Sequence, residues 1–94
     1  MEILLKEQGA KGFAMALADE KKAGAMTYSI AGEHLIIIDH TEVGPDYNGL
    51  GVGRQMLYKI VEMAREKNIK IIPLCPFAAA TFKKTADIQD VLKS

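Results

Sequence analysis

The chain has 94 residues, with twelve Lys and Arg against twelve Asp and Glu, so its formal net charge is zero. Apolar residues make up 49% of it, too many for a disordered chain, and the length suits one domain. A pI near 6.7 lies well below the roughly 9 and above of nucleic-acid-binding domains, and no apolar run approaches the roughly 18–20 residues that span a bilayer.

Met1 to Lys6 has no basic segment leading into an apolar one, so no signal peptide is expected. Ile3-Leu4-Leu5 suggests a short first strand, and Gln8 to Gly12 a turn with two glycines available for positive φ. Phe13, Met15 and Leu17 alternate with three alanines. That period of two marks a strand with a bulky and a small face, although alanine also favours a helix. Asp19 to Gly24 reads as a charged turn, and Met26, Tyr28 and Ile30 as the apolar side of a third strand. After a turn at Ala31-Gly32-Glu33, Leu35 to Ile38 is apolar without alternation, as in a central strand covered on both faces.

Gly44 to Gly53 is a loop rich in turn residues. A helix follows to about Asn68, with Val52, Met56, Leu57, Ile60, Val61 and Ala64 as one apolar stripe. Ile69 to Ile72 is another short strand, ended by Pro73-Leu74-Cys75-Pro76. Phe77 to Lys84 forms a helix, Thr85-Ala86-Asp87 a break, and Ile88 to Lys93 a last short helix. No repeat, low-complexity stretch or linker interrupts the chain, so residues 1–94 are expected to be a single domain. The fold class is mixed α/β (α+β): antiparallel strands first, then a β-α-β unit whose two strands are parallel. Ligands in such units bind at the carboxyl ends of the strands. Here those ends carry His40-Thr41-Glu42-Val43 and Pro73-Leu74-Cys75, which are far apart in sequence.

Gly49, Gly51 and Gly53 stand directly before the long helix. A helix N-terminus leaves unpaired N–H groups and a partial positive charge, and glycines let a phosphate approach that backbone. A Walker A loop needs Lys directly after a glycine five positions beyond the first; Gly44 and Gly49 are so spaced, but Leu50 follows. A dinucleotide fingerprint beginning at Gly49 and Gly51 needs glycine at 54, where Arg54 stands, and three strands already precede the loop.

Asn48-Gly49-Leu50-Gly51-Val52-Gly53 resembles the pyrophosphate-binding motif of the GNAT superfamily of N-acetyltransferases: Gln or Arg, two residues, Gly, one residue, then Gly or Ala. Gly51 and Gly53 stand at its two small positions, and Asn48 departs from the first. The flanks also match: a strand ending in Glu42-Val43, a Pro-containing loop, and a helix opening Gly53-Arg54-Gln55-Met56-Leu57. His40 to Val43 with the glycine loop, and Ile71-Ile72-Pro73-Leu74-Cys75-Pro76-Phe77, resemble the short single-domain branch, the YjdJ-type N-acetyltransferase domain. This likeness covers nearly the whole length. It implies a GNAT-like fold, acetyl-CoA as acetyl donor, an undefined amine acceptor (small molecule, peptide or protein), and a part in the chemistry for Cys75.

On that reading Val43 and the amides of Asn48, Gly49, Leu50, Gly51, Val52, Gly53 and Arg54 hold the coenzyme A pyrophosphate; on the other, the loop is a flexible connection. Pro76 suits the first position of a helix, which puts Cys75 at its N-cap. A helix N-terminus favours the nucleophilic thiolate, whereas a lone cysteine is also a common inert core residue. His40 and Glu42 lie two apart on one face of a strand, so either is a candidate general base or a polar cap of the strand end. Arg54, Lys83 and Lys84 are candidates for the adenosine phosphates, although the two lysines read first as solvated surface. No residues have metal-ligand spacing, so no metal is expected. A single cysteine makes no internal disulfide, which suits a reducing cytoplasm. The expected function is acetyl-CoA-dependent N-acetyl transfer, directly or through Cys75, with no nucleic acid or membrane as partner. The alternative is a non-catalytic module that binds CoA or acyl-CoA, or acts through a protein partner.

Overall fold

The computed structural model describes residues 1–93. Strands β1 (Glu2–Gln8), β2 (Lys11–Ala18), β3 (Lys21–Gly32) and β4 (Leu35–Val43) form an antiparallel meander. A 3-10 turn at Pro45–Tyr47 and the glycine loop lead into helix α1 (Val52–Lys67). Strand β5 (Lys70–Pro73) returns parallel to β4, giving one sheet in the order β1-β2-β3-β4-β5. Helix α2 (Pro76–Lys84) and a 3-10 segment, Ala86–Val91, complete the chain. This is the mixed α/β architecture expected from the sequence.

Residues 11–18 are a strand, and the period of two prevails over the helix preference of alanine because both neighbours supply ladder partners. The small face is the one that is buried: Ala14 and Ala16 are fully covered, while Phe13, Met15 and Leu17 are half-buried. Small side chains there let α1 approach the sheet and seat Met56, Leu57, Ile60 and Val61 in one core with Met26, Tyr28, Ile36 and Ile38. Each of the large buried apolar side chains stabilises the fold by roughly 1.5–3 kcal/mol. Helix α1 ends at Asn68, whose left-handed conformation (φ 57°) turns its N–H back onto the carbonyls of Ala64 and Arg65.

Three expectations need correction. Lys21 to Gly24 belong to β3, because the hairpin turn is only Asp19-Glu20, both at positive φ. That pair of positive φ values matches the tight hairpin turn whose twist follows the strands. Strand β4 is not covered on both faces: Ile36 and Ile38 are buried, but Leu35 and Ile37 are half-buried, because the helices contribute to a single core on one side of the sheet. The last segment is a 3-10 turn ending at Val91, not a helix from Ile88 to Lys93, since Leu92 bridges Ile71 in parallel and Lys93 N–H bonds its carbonyl at 2.9 Å. The final residues thus cover the outer edge of β5.

Candidate active site

Strands β4 and β5 pair as far as Ile38 and Pro73. There they part. The amides of Leu74 and Cys75 both donate to the Ile38 carbonyl, each at 3.0 Å, which turns the chain out of the sheet. Pro76 then opens α2 at a position where no N–H is required. Strand β4 continues alone to Val43, held only by β3, so its edge on the β5 side is bare from Asp39 onward. Topology joins the two stretches that the sequence separates.

Cys75 is the N-cap residue of α2 and is buried, 4% exposed. Its Sγ lies 3.1 Å from the Thr41 hydroxyl. Thr41 was not singled out from the sequence; a β-bulge at Asp39, where Ile38 faces Tyr28 but His40 faces Thr27, reverses the alternation of β4, so Thr41 lies on the Cys75 side and His40 and Glu42 on the opposite, exposed face. His40 and Glu42 are therefore together, as their spacing predicts, and neither is hydrogen-bonded to the thiol, whose partner is Thr41. Glu42 accepts a hydrogen bond from Lys22 Nζ at 2.8 Å. That bond, and then the charge of Lys22, hold its carboxyl below the usual carboxylate range, with His40 a lesser contributor.

The glycine loop divides its work. Gly49 (φ 79°) and Gly51 (φ 75°) adopt left-handed conformations that favour glycine. Gly51 is the N-cap of α1 and supplies no capping side chain; the first turn of the helix contains no acidic residue. The first amide of this turn to find a protein carbonyl is that of Gln55, which bonds Gly51 at 3.0 Å. Val52, Gly53 and Arg54 thus offer the open N–H groups of a helix start. Gly53 is helical and buried under α2, where a Cβ would come within 2.6 Å of the Phe77 ring.

A cleft of about 380 Å³ opens at this helix start. Val43, Tyr47, Asn48, Gly49, Gly51, Val52, Gly53 and Arg54 line it from the loop side, and Phe77, Thr81 and Lys84 from α2. Leu50 is 60% exposed and is not part of the lining. Arg54 stacks over Tyr58 at 5.3 Å and bonds the Thr85 hydroxyl at 3.1 Å, which fixes its position at the rim. Lys84 brings a second cation; of the two lysines the sequence offers there, the docking of α2 beside α1 puts Lys84 on the cleft lining. A second cavity of about 310 Å³, lined by Lys22, Glu42, Val43 and Gly44 among others, adjoins the first at Val43. No group of three or more His, Cys, Asp or Glu side chains that could hold a metal is present among the described residues.

The family profile described as GCN5-related N-acetyl-transferase matches residues 12–91. No curated protein matches the chain. Among solved structures, a GCN5-like candidate N-acetyltransferase from Staphylococcus aureus superposes with a TM-score of 0.71 at 34% identity, over 97% of this chain and 88% of that one. A ribosomal-protein-alanine N-acetyltransferase from Brucella melitensis biovar Abortus 2308 gives 0.72 at 18% identity, over 84% of this chain and 63% of that one. The aminoglycoside N-acetyltransferase AAC(6')-Iy, in complex with CoA, gives 0.61 at 13% identity, over 81% and 66%. The last two likenesses are of fold.

Proposed function

The chain belongs to the GCN5-related N-acetyltransferase family, and from that premise we propose how this acetyl-CoA-dependent acyltransferase uses its site. We assign it to the short, YjdJ-type branch working as one domain in the cytoplasm; among the described residues no helix is long and apolar enough to cross a membrane. One observation carries the reading. Helix α1 begins with open amides, no capping side chain and no carboxylate, at a cleft whose wall includes the last residue of a bare strand edge.

These features fit coenzyme A. The amides of Val52, Gly53 and Arg54, with the partial charge of the helix start, suit a pyrophosphate, and Arg54 and Lys84 add two cations. Asn48, Gly49 and Leu50 shape the approach to that start. The bare edge of β4 from Asp39 to Val43 suits the pantetheine arm as an added strand. When bound, acetyl-CoA supplies the acetyl group as a thioester. An N–H on that bare edge polarises the acetyl carbonyl and stabilises the charge that develops on its oxygen.

The amine acceptor approaches from the exposed face of the sheet, where His40 and Glu42 stand. Glu42, kept ionised by Lys22, draws an ammonium group. A carboxylate so stabilised is a weak base, so His40 takes one proton from the ammonium; the freed amine would attack the thioester carbonyl, the C–S bond would break, and the amine's second proton would pass to the departing coenzyme A thiolate. Cys75 and Thr41 flank the reacting carbon from the other face. Among the described residues the thiol's hydrogen-bond partner is a hydroxyl, not a base, which favours direct transfer to the amine. The uncovered face leaves room for a peptide or protein acceptor.

Calorimetry with CoA and acetyl-CoA tests this reading. Wild type is expected to bind both. Gly51→Ala, strained by about 1–2 kcal/mol at its left-handed position, is expected to bind at least several-fold more weakly. Absence of binding at roughly millimolar ligand overturns the reading. Binding without turnover on a broad amine panel replaces it with a CoA-binding module.

A further inference from the structure

The sheet has two edges, and the chain treats them differently. The outer edge of β5 is covered by Leu92 and Lys93. Among the described residues the outer edge of β1 pairs with nothing: β1 is the end strand, and its ladder is with β2. This edge runs for seven residues without proline, and its pairing with β2 is continuous, without a bulge. Long, regular edges pair with other strands unless something blunts them, and here the charges that could do so, Glu2 and Lys6, are of opposite sign.

The sequence of β1 specifies its own complement. Two copies related by a two-fold axis perpendicular to the sheet, passing through Leu4, set Leu4 against Leu4, Ile3 against Leu5, and Glu2 against Lys6. Ile3, Leu4 and Leu5 then all meet apolar residues, Glu2 and Lys6 meet the opposite sign, and Glu7 falls opposite Met1 beyond the strand. Shifting the register by two residues in either direction sets Lys6 or Glu2 against Leu4 and loses both charge pairs. The same register keeps the helices of both copies on one side. On the exposed face, Leu4 already lies beside Met15 of β2, so pairing extends that row as Met15-Leu4-Leu4-Met15. Cross-strand apolar and opposite-charge pairs are what stabilise antiparallel ladders.

We propose that two copies of this chain associate through β1 in this register, joining their sheets into one of ten strands. The contact is a single strand pair, far smaller than a standard interface, so the dimer forms in a concentration-dependent equilibrium. It leaves the β4–β5 cleft of each copy free, because β1 and β5 are opposite edges.

Sedimentation equilibrium over a wide range of protein concentration tests the proposal, with circular dichroism as the control for folding. Wild type is expected to dimerise. Lys6→Glu sets two acidic pairs across the axis and is expected to weaken the dimer at least tenfold while the fold persists. Combining Glu2→Lys with Lys6→Glu restores opposite-sign pairs and is expected to recover the dimer. Wild type that stays monomeric at the highest concentration, a dimer indifferent to Lys6→Glu, or a double variant that fails to recover association while folded, overturns it.

Discussion

Gly51 and Gly53 stand two residues apart in one motif, and glycine serves a different need at each. At Gly51 the need is conformational, a left-handed N-cap with open space where a side chain would be; at Gly53 it is steric, the Phe77 ring lying where a Cβ would project. Spacing alone reveals the pattern but not this division, because Phe77 arrives from another helix. Cys75 shows the same limit. Its N-cap position is legible from Pro76, whereas its contact with Thr41 depends on where β5 leaves the sheet. If the amine attacks directly, incubation with acetyl-CoA alone yields no acetyl-protein adduct by intact mass, and Cys75→Ala retains most of its turnover. An adduct on wild type that Cys75→Ala abolishes establishes the relay through the thiol instead.

At the scale of the element, period and composition specify the type of each segment, and tertiary partners decide extent and orientation. Alternation identifies β2, yet the side that faces α1 is the alanine side, against the intuition that bulk goes inward. The reason is geometric: α1 brings its own large side chains, so the sheet must supply room. Ala16→Leu is therefore expected to destabilise the protein by about 1–3 kcal/mol through overpacking, read as a lower urea midpoint with an unchanged m-value. An unaltered midpoint would show that α1 is not seated on this strand as described. Strand β4 was legible to Val43, but the bulge at Asp39 was not, because it depends on the register that β3 imposes.

Across the whole molecule, the C-terminal 3-10 segment is tied to α1 by a two-pronged pair. Arg65 donates from Nε to Asp90 Oδ2 at 2.9 Å and from a terminal nitrogen to Oδ1 at 2.8 Å. Chiefly through that hydrogen bonding, the guanidinium holds the Asp90 carboxyl below its ordinary range. A carboxyl depressed in the folded state contributes stability that is complete above its unfolded value of roughly 3.9 and is lost as pH falls through the folded one. Asp90→Asn is accordingly expected to lower the Tm at neutral pH, and the difference from wild type is expected to vanish in strong acid. A difference that stays constant across pH would show that the pair does not link folding to this titration.

The order of elements, the glycine loop before a helix, the N-cap cysteine and the alternation of β2 are all local, set by residues within a few positions of one another, and they can be read from the chain directly. Which face of the sheet is covered, where β4 and β5 part, and that Thr41, Phe77 and Lys84 join the site were decided only by folding. Those features depend on contacts between segments tens of residues apart, where packing volume and ladder register, rather than local preference, determine the neighbours.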